Sequence, residues 1–268
     1  MKSVYIFVTT DRPDIYINSI VHWLKKGINQ IFLIQVEDNN IEQVKLNLLR
    51  LNIYNLLKDL ASGFYRYYTG TLRDTLIDLS NEYNNHDLAE IKSKYNSWYS
   101  QIISDDIRCE TVPPIKYLEL KQYISSIYKK NKNVIIDVTP VSKIYIADIL
   151  ACCLLENINS LYTFELLITP DFGKPWKILI HELDEGKQYK YSNLVETPIF
   201  QESAKAILFR TTPLLISIVG TILFVSLTLA ASFFFGALSS FFVQVVSIVG
   251  TVLGIISFFL IYFPIRGK

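Results

Sequence analysis

The fold class of this chain is decided by the stretch Val134-Ile135-Ile136-Asp137-Val138-Thr139-Pro140-Val141-Ser142-Lys143. It begins within an apolar, β-rich run at residues 133–138 and becomes polar before a helical pattern at residues 142–156. A strand that leads through a short polar loop into a helix is the repeating unit of a parallel sheet. We therefore predict an α/β domain in which this stretch supplies one strand and the start of the next helix.

The N-terminal part of the chain repeats the same alternation of strand and helix. Residues 4–8 and 31–36 are short β-rich runs, and residues 13–26 and 41–60 have the apolar periodicity of helices. This order predicts a Rossmann-like, doubly wound parallel sheet with helices on both faces. The remaining predicted elements are helices at 72–84, 88–103 and 115–130 and strands at 161–167 and 176–181.

The C-terminal part differs in composition from the rest of the chain. No Asp, Glu, Lys or Arg occurs between Thr211 and Ile265, although the whole chain contains 26 Lys and Arg and 25 Asp and Glu. Because one crossing of a bilayer takes about 20 apolar residues, this segment is long enough for two helices, which we place near 213–235 and 241–263. The sequence therefore predicts an α-helical transmembrane hairpin at residues 211–268.

The charges beside this hairpin predict its orientation. Arg210 precedes it, Arg266 and Lys268 follow it, and its predicted tip carries no positive charge. By the positive-inside rule both ends of the hairpin then lie in the cytoplasm, and the apolar run at the N-terminus is too short for a signal peptide. We expect a two-span protein of the cytoplasmic membrane, with a cytosolic domain at residues 1–190 and a juxtamembrane connector at residues 191–210.

Three positions in the second predicted span are candidates for contacts between transmembrane helices. Gly250 and Gly254 form a GxxxG pattern that allows close approach of two helices, and chance spacing in a glycine-containing apolar stretch explains it equally well. Gln244 could form a hydrogen bond across a helix interface or lie near the lipid headgroups. A segment without any charged residue argues against an ion or proton transporter and allows a pore or a bilayer-disturbing hairpin.

Two of the predicted strand ends carry side chains that suit ligand binding, since ligands of open parallel sheets bind at the carboxyl ends of the strands. The residues after the first strand offer two hydroxyls, a carboxylate and a guanidinium before a helix N-terminus, a place that suits phosphate. These residues are Thr9, Thr10, Asp11 and Arg12. The alternative is structural, with Thr10 or Asp11 as the N-cap of the helix.

The loop after the strand at residues 133–138 is the second candidate. Thr139 and Ser142 can donate hydrogen bonds to phosphate or ribose oxygens, and Lys143 supplies a compact positive charge. Asp137 can orient the loop by accepting hydrogen bonds from backbone N–H groups. The structural alternative is an ordinary strand-to-helix turn in which Ser142 is the N-cap and Lys143 is exposed.

Other features narrow the kind of ligand. The formal net charge is +1, so duplex nucleic acid, which needs clustered Lys and Arg, is not an expected partner. Neither a GxGxxG nor a GxxxxGK[ST] motif occurs, which leaves classical dinucleotide and Walker sites unsupported. Tyr65, Tyr67 and Tyr68 lie beside Arg66 and could stack on bases, although core packing is the commoner role in a chain with 17 tyrosines.

The pattern Asp137-x-Thr139-x-x-x-Lys143 resembles the D-x-[ST]-x-x-x-[KR] motif that follows a strand in CARF domains. These domains are Rossmann-like sensors of cyclic oligoadenylates in CRISPR-associated defence. Thr9-Thr10 is similar to the family's other ligand-binding loop, and the order of elements from residue 1 to about residue 181 is similar to that of the family. Pro140 and Val141 stand where the family often has glycines, and this departure implies a different loop conformation or ligand size.

The resemblance implies a symmetric homodimer that binds a cyclic oligoadenylate, or another cyclic nucleotide, across its twofold axis without a further cofactor. The implied ligand-binding residues are Thr9, Thr10, Asp11, Arg12, Asp137, Thr139, Pro140, Val141, Ser142 and Lys143. Together with the predicted hairpin, this implies a membrane effector of a prokaryotic antiphage defence system. Nucleotide binding would be coupled to membrane disruption or pore formation.

Two other functions stay open at this point. A membrane-tethered enzyme would degrade the cyclic nucleotide with ligand-positioning residues alone, in the manner of a ring nuclease. A structural anchor would instead hold another defence protein at the membrane. The sequence does not fix whether the nucleotide activates or restrains the effector, and it identifies no catalytic residue and no metal ligand.

Overall fold

The computed structural model describes residues 2–38, 43–68, 70–104 and 107–198, together with helical positions at 219, 220, 222, 223, 226, 249, 250, 252 and 254. The chain divides into two compact units, Met1–Thr197 and Pro198–Lys268. The first unit combines a central sheet and a small hairpin with helices. Its strands are β1 (Ser3–Val8), β2 (Gln30–Glu37), β3 (Phe64–Arg66), β4 (Leu76–Asp78), β5 (Arg108–Thr111), β6 (Ile115–Lys116), β7 (Val134–Asp137), β8 (Leu161–Leu166) and β9 (Tyr189–Asn193). Its helices are α1 (Asp14–Lys25), α2 (Leu46–Ser62), α3 (Asn85–Ile103), α4 (Leu120–Lys130) and α5 (Lys143–Leu155).

The strands of the central sheet follow the order β5-β2-β1-β7-β8-β9, and β6 also pairs with β2. All neighbouring strands are parallel except β8 and β9, which are antiparallel. The register of the central pair sets Ser3 opposite Gln30 and Val8 opposite Gln35. The predicted α/β class, with a mostly parallel sheet and flanking helices, is confirmed.

The apolar strands explain why this sheet is buried on both faces. In β1 only Tyr5 is partly exposed, as expected for a strand covered by helices above and below. Helix α2 packs against both α1 and α3, whereas α4 packs against α5. The connections that contain α1, α2 and α3 run from β1 towards β5, whereas those that contain α4 and α5 run the other way, towards β8. Because parallel crossovers are right-handed, connections that run in opposite directions along a sheet lie on opposite faces of it.

Helix α1 shows how the sequence pattern produces this packing. Tyr16, Ile17, Ile20 and Val21 are fully buried against the sheet and the neighbouring helix. They recur at the three- and four-residue spacing that lines one face of a helix. Each such side chain contributes about 1.5–3 kcal/mol by leaving water, so this face fixes where α1 lies on the sheet.

Two predicted elements of the first unit are wrong. The range predicted as a helix at 72–84 contains β4 and a 3-10 helix, Leu79–Asn81. β4 pairs antiparallel with β3, and the turn between them contains Gly70 and Asp74 at φ values of 70° and 65°. The strand predicted at 176–181 is a short 3-10 helix, Pro175–Ile178. Its apolar residues resemble a strand in sequence, but they are buried in the core as a compact turn.

The last strand, Tyr189–Asn193, was also missed, because its residues 191–193 were predicted to belong to the juxtamembrane connector. Tyr189 and Tyr191 alternate with polar residues in β9, and this strand adds an antiparallel edge to the sheet. An antiparallel edge strand on an otherwise parallel sheet is common. The first compact unit therefore continues to Thr197.

Most of the predicted transmembrane hairpin lies outside the described residues, and so does Gln244. Gly250 and Gly254 are both helical. Within the described part of the chain, no helix is long and apolar enough to cross a membrane.

Candidate functional site

The two predicted ligand loops meet at the carboxyl edge of the sheet. β1 lies between β2 and β7, and the chain builds the sheet outward from β1 in both directions. The crevice at such a reversal of strand order is the usual ligand site of open α/β sheets. The hydroxyl of Thr9 donates a hydrogen bond to the carbonyl oxygen of Pro140 at 2.6 Å, so the loops after β1 and β7 are joined directly.

The loop after β1 is held by helix α1. The hydroxyl of Tyr16 donates to the carbonyl oxygen of Thr10 at 2.7 Å. The helix begins after Pro13 without a side-chain cap, so the alternative that Thr10 or Asp11 is the N-cap is wrong. Asp11 is exposed at the tip of this loop, which leaves its carboxylate accessible to a ligand.

Arg12 is fixed at the start of α1 by Asp14. Its Nε and its terminal nitrogen donate to the two carboxylate oxygens at 3.2 Å and 2.6 Å. This two-point contact raises the pKa of Arg12 above its ordinary value. An arginine held in this way has a fixed guanidinium plane, and Arg12 lines the two cavities described below.

Asp137 lies inside the protein, and its side chain orients the loop after β7. Its carboxylate accepts hydrogen bonds from Trp23 Nε1 at 2.7 Å and from the hydroxyl of Tyr191 at 2.6 Å. It also accepts one from the backbone N–H of Thr139 at 2.9 Å, the loop-orienting interaction that the sequence predicted. Asp137 is 0% exposed. These donors compensate the loss of water around a buried carboxylate.

The other residues of this loop have different surroundings. The hydroxyl oxygen of Thr139 accepts from the backbone N–H of Phe164 at 2.8 Å and lies 3.3 Å from the Tyr191 hydroxyl. Pro140 and Val141 are buried, whereas Ser142 and Lys143 are exposed at the start of α5. Ser142 occupies the N-cap position without a side-chain hydrogen bond.

Two adjoining cavities open beside this edge of the sheet. The first has a volume of about 490 Å³ and is polar, and the second has a volume of about 570 Å³ and is rich in aromatic residues. We call them the polar cavity and the aromatic cavity. Arg12 and Tyr68 line both of them, so the two adjoin, and we call the pair the cleft. Both volumes are within the range of ordinary small-molecule sites, roughly 300–1,000 Å³.

The polar cavity brings basic and acidic groups together. Its basic lining residues are Arg12, Lys58, Arg66 and Arg73, and its acidic ones are Asp11, Asp59 and Asp74. Arg66 Nε contacts Asp59 at 3.1 Å. Among the described residues, Lys58 and Arg73 form no ion pair, so both remain available to an anion from outside.

The aromatic cavity is lined by the tyrosines that the sequence singled out, together with two phenylalanines. Tyr65 and Tyr67 meet edge to face, with ring centres 5.7 Å apart, and both contact Trp176. They therefore pack in the core and line the cavity at the same time. Phe172 is 78% exposed at its rim.

Of the ten residues predicted to bind a ligand, the structure brings Asp11, Arg12 and Thr139 to this cleft. Thr9 and Thr10 line a smaller neighbouring cavity of about 250 Å³ together with Asp11. Ser142 and Lys143 do not line the polar or the aromatic cavity.

Sequence reasoning missed Lys58, Arg73 and Phe172. Lys58 and Arg73 belong to α2 and to the turn between β3 and β4, and that turn was predicted as helix. The cluster Tyr65-Arg66-Tyr67-Tyr68 was the only signal for this side of the cleft.

No protein-family model, curated protein or solved structure matches this chain. Within the described residues, no group of three or more His, Cys, Asp or Glu side chains is arranged to hold a metal ion. The cleft is lined by cationic, carboxylate and aromatic side chains.

Proposed function

We propose that the chain is a nucleotide sensor joined to a membrane effector, as its resemblance to CARF domains implies. The observation that carries the proposal is the cleft at the carboxyl edge of β1 and β7. One part offers Arg and Lys side chains that suit phosphate, and the adjoining part offers aromatic surface that suits a base. A nucleotide combines these two chemical groups in one molecule.

The acidic residues of the polar cavity are compatible with this ligand. Carboxylates of nucleotide-binding α/β proteins accept hydrogen bonds from ribose hydroxyls. Asp11 and Asp74 are exposed at the cavity and are placed to accept such bonds. A cyclic nucleotide would then contact the loop after β1 through Arg12 and the loop after β7 through Thr139.

A hydrogen-bonded route connects this cleft to the end of the first compact unit. Thr139 lines the aromatic cavity, and its hydroxyl lies 3.3 Å from that of Tyr191. Tyr191 belongs to β9, the last strand before the second unit begins at Pro198. A ligand that binds one arrangement of this network better than another would shift the position of β9. That shift is the proposed signal to the uncharged segment.

The proposed output is a change in the membrane produced by the predicted hairpin at residues 211–268. The hairpins of two or more chains would assemble or open when the nucleotide binds, or would be released when it leaves. The uncharged segment favours a pore or a general disturbance of the bilayer, because transporters usually place charged groups along their path.

The test is calorimetric titration of the detergent-solubilised full-length chain with cyclic di-, tri-, tetra- and hexa-adenylate. We expect at least one of them to bind, and we expect Arg12→Gln to weaken that binding roughly tenfold because charge-assisted hydrogen bonds are lost. Arg108→Gln, at an exposed position of β5, is the matched control. Absence of binding to every nucleotide of the panel would reject the sensor function.

The same titrations separate a sensor from a degrading enzyme. Chromatography of the nucleotide after overnight incubation shows whether the phosphodiester bonds are intact. Intact nucleotide agrees with a sensor, whereas complete conversion to linear products by catalytic amounts of protein would support the ring-nuclease alternative.

A further inference from the structure

We propose that the cleft binds one nucleotide unit in a fixed direction, with its phosphate in the polar cavity beside Lys58 and Arg73 and its base in the aromatic cavity. This inference rests on the proposed function and specifies the ligand of the same site. The residues that carry it lie in α2, in the turn between β3 and β4 and in the segment before residues 175–178, outside the two loops that the sequence pointed to.

The phosphate end is identified by two basic side chains of the polar cavity that form no ion pair within the described part of the chain. Arg12 is engaged with Asp14 and Arg66 with Asp59, so part of their charge is already compensated. Lys58 and Arg73 form no such pair among the described residues, and both line the polar cavity. An incoming phosphate would meet these two groups without first breaking an ion pair.

The base end is identified by the side chains that line the aromatic cavity, where Tyr65 and Tyr67 are buried and Phe172 is exposed. Tyr65 and Tyr67 form one wall, and both are held by contacts with Trp176. The hydroxyl of Tyr67 donates to the carbonyl oxygen of Gly173 at 2.7 Å, which connects this wall to the segment that carries Phe172. Phe172 is exposed at the rim, where a phenyl ring can cover a planar base by stacking.

Tyr68 lies where the two cavities meet and provides an independent sign of a ligand. Its hydroxyl is buried and has no hydrogen-bond partner among the described residues, although buried hydroxyls nearly always have one. Burial raises the pKa of Tyr68 well above its ordinary value, so the hydroxyl keeps its proton and can donate it. A turn of the Tyr68 ring towards the junction would bring this hydroxyl to the cavity surface, where a ribose or phosphate oxygen would satisfy it.

The size and position of the cleft indicate how many nucleotide units one chain binds. Its walls come from one chain, and each part has the volume of an ordinary small-ligand site. Each chain would therefore hold one nucleotide unit by itself. A cyclic oligonucleotide would place one of its units in each chain of an assembly.

The test compares two substitutions that act on opposite ends of the cleft. The full-length chain is titrated in detergent with AMP and with cyclic tetra-adenylate, each over a range of NaCl concentrations. We expect Arg73→Gln to weaken binding roughly tenfold and to reduce its dependence on salt, because one phosphate contact is lost. We expect Phe172→Ala to weaken binding severalfold and to leave the salt dependence unchanged.

Matched controls for these two substitutions are Arg108→Gln and Leu118→Ala, which alter exposed basic and apolar side chains elsewhere in the fold. Tryptophan fluorescence checks that each variant is folded, because Trp23, Trp98 and Trp176 all belong to the first unit. Tyr68→Phe keeps the ring and removes the hydroxyl, and we expect weaker binding from it as well.

The outcomes distinguish the two proposals. Nucleotide binding that Arg73→Gln and Phe172→Ala leave unchanged, but that Lys143→Glu abolishes, would overturn the cleft assignment and retain the sensor. If Phe172→Ala reduced the salt dependence of nucleotide binding as much as Arg73→Gln does, the proposed direction of the nucleotide in the cleft would be overturned. Absence of binding to AMP and to every cyclic adenylate of the panel in the unmodified chain would overturn both proposals.

Discussion

Asp137 joins helix α1, the loop after β7 and the last strand through its carboxylate. Its carboxylate is enclosed by donors from α1, from its own loop and from β9. The local N–H contact was predictable, because Asp commonly accepts from the backbone two residues ahead. Trp23 and Tyr191 were not predictable as partners, since they are distant in sequence and only the packing of the sheet brings them to Asp137.

We predict that Asp137→Asn destabilises the first unit by about 1–3 kcal/mol, since an amide cannot accept all the donors that meet the carboxylate. Urea unfolding followed by tryptophan fluorescence measures this loss. Asp184→Asn is the control, because the Asp184 side chain is 71% exposed and its substitution should change the free energy of unfolding by less than about 0.5 kcal/mol. An unchanged unfolding midpoint for Asp137→Asn would contradict the role assigned to this carboxylate.

His22 gives the stability of the first unit a dependence on pH. Its ring stacks on Tyr191 with ring centres 4.0 Å apart, and burial lowers its pKa to about 4. Between about pH 6.5 and pH 4 the unfolded chain binds a proton that the folded chain excludes. The free energy of unfolding therefore falls as the pH falls through this window, by up to about 1.4 kcal/mol per pH unit.

We expect His22→Phe to keep the aromatic stack and to flatten the stability profile between pH 6.5 and pH 4. Unfolding in urea at half-unit pH steps measures the slope. His181 keeps its own contribution in the variant, because burial lowers its pKa to about 3. A slope identical to that of the unmodified chain would show that His22 does not titrate in this range.

At the scale of elements, the sequence predicts the long periodic segments well and the short ones poorly. β1, α1, β7 and α5 are close to their predicted positions, because apolar runs and helical periodicity decide them locally. The pair β3–β4 has three residues in each strand, too few for a periodic signal. Its fold depends on distant contacts, such as that between Tyr67 and Gly173. For the same reason, sequence reasoning singled out Tyr65, Tyr67 and Tyr68 but did not predict the hairpin that places them at the cavity.

The end of α2 depends on a glycine. Gly63 follows the helix at a φ of 89°, and a Cβ placed there would approach the Lys92 side chain to 3.3 Å. Gly63→Ala should therefore cost about 1–2 kcal/mol of unfolding free energy through backbone strain, with crowding in addition. Gly186 has a φ of 86° with open space around it, so Gly186→Ala should cost less in the same unfolding experiment. An equal or smaller cost at Gly63 would contradict this explanation.

Strand β9 carries the proposed connection between the cleft and the second unit. Tyr191→Phe keeps the ring and removes the hydroxyl that donates to Asp137. We expect the affinity for the nucleotide, measured by calorimetry, to stay within about twofold of that of the unmodified chain, a change of less than about 0.5 kcal/mol. We expect the nucleotide to lose its effect on the membrane, measured as dye release from liposomes. Tyr189→Phe on the same strand is the control. Loss of the response in both variants would argue against a specific role for Tyr191.

At the scale of the whole molecule, the chain consists of a compact α/β unit and a C-terminal segment of different composition. The first has the charged surface and the buried core of an ordinary α/β domain, whereas residues 211–265 carry no charge. The cleft belongs entirely to the first unit. In the proposed function, a nucleotide acts on the second unit by favouring one arrangement of the network that ends in β9.

The most direct test of this sensor-effector function is dye release from liposomes that contain the full-length chain. Cyclic di-, tri-, tetra- and hexa-adenylate are added in turn to the unmodified chain and to Arg73→Gln. We expect at least one nucleotide to change the rate of release severalfold in the unmodified chain, and the same concentration to have little effect on Arg73→Gln. A rate of release that is the same with every nucleotide as without any would contradict the proposed function.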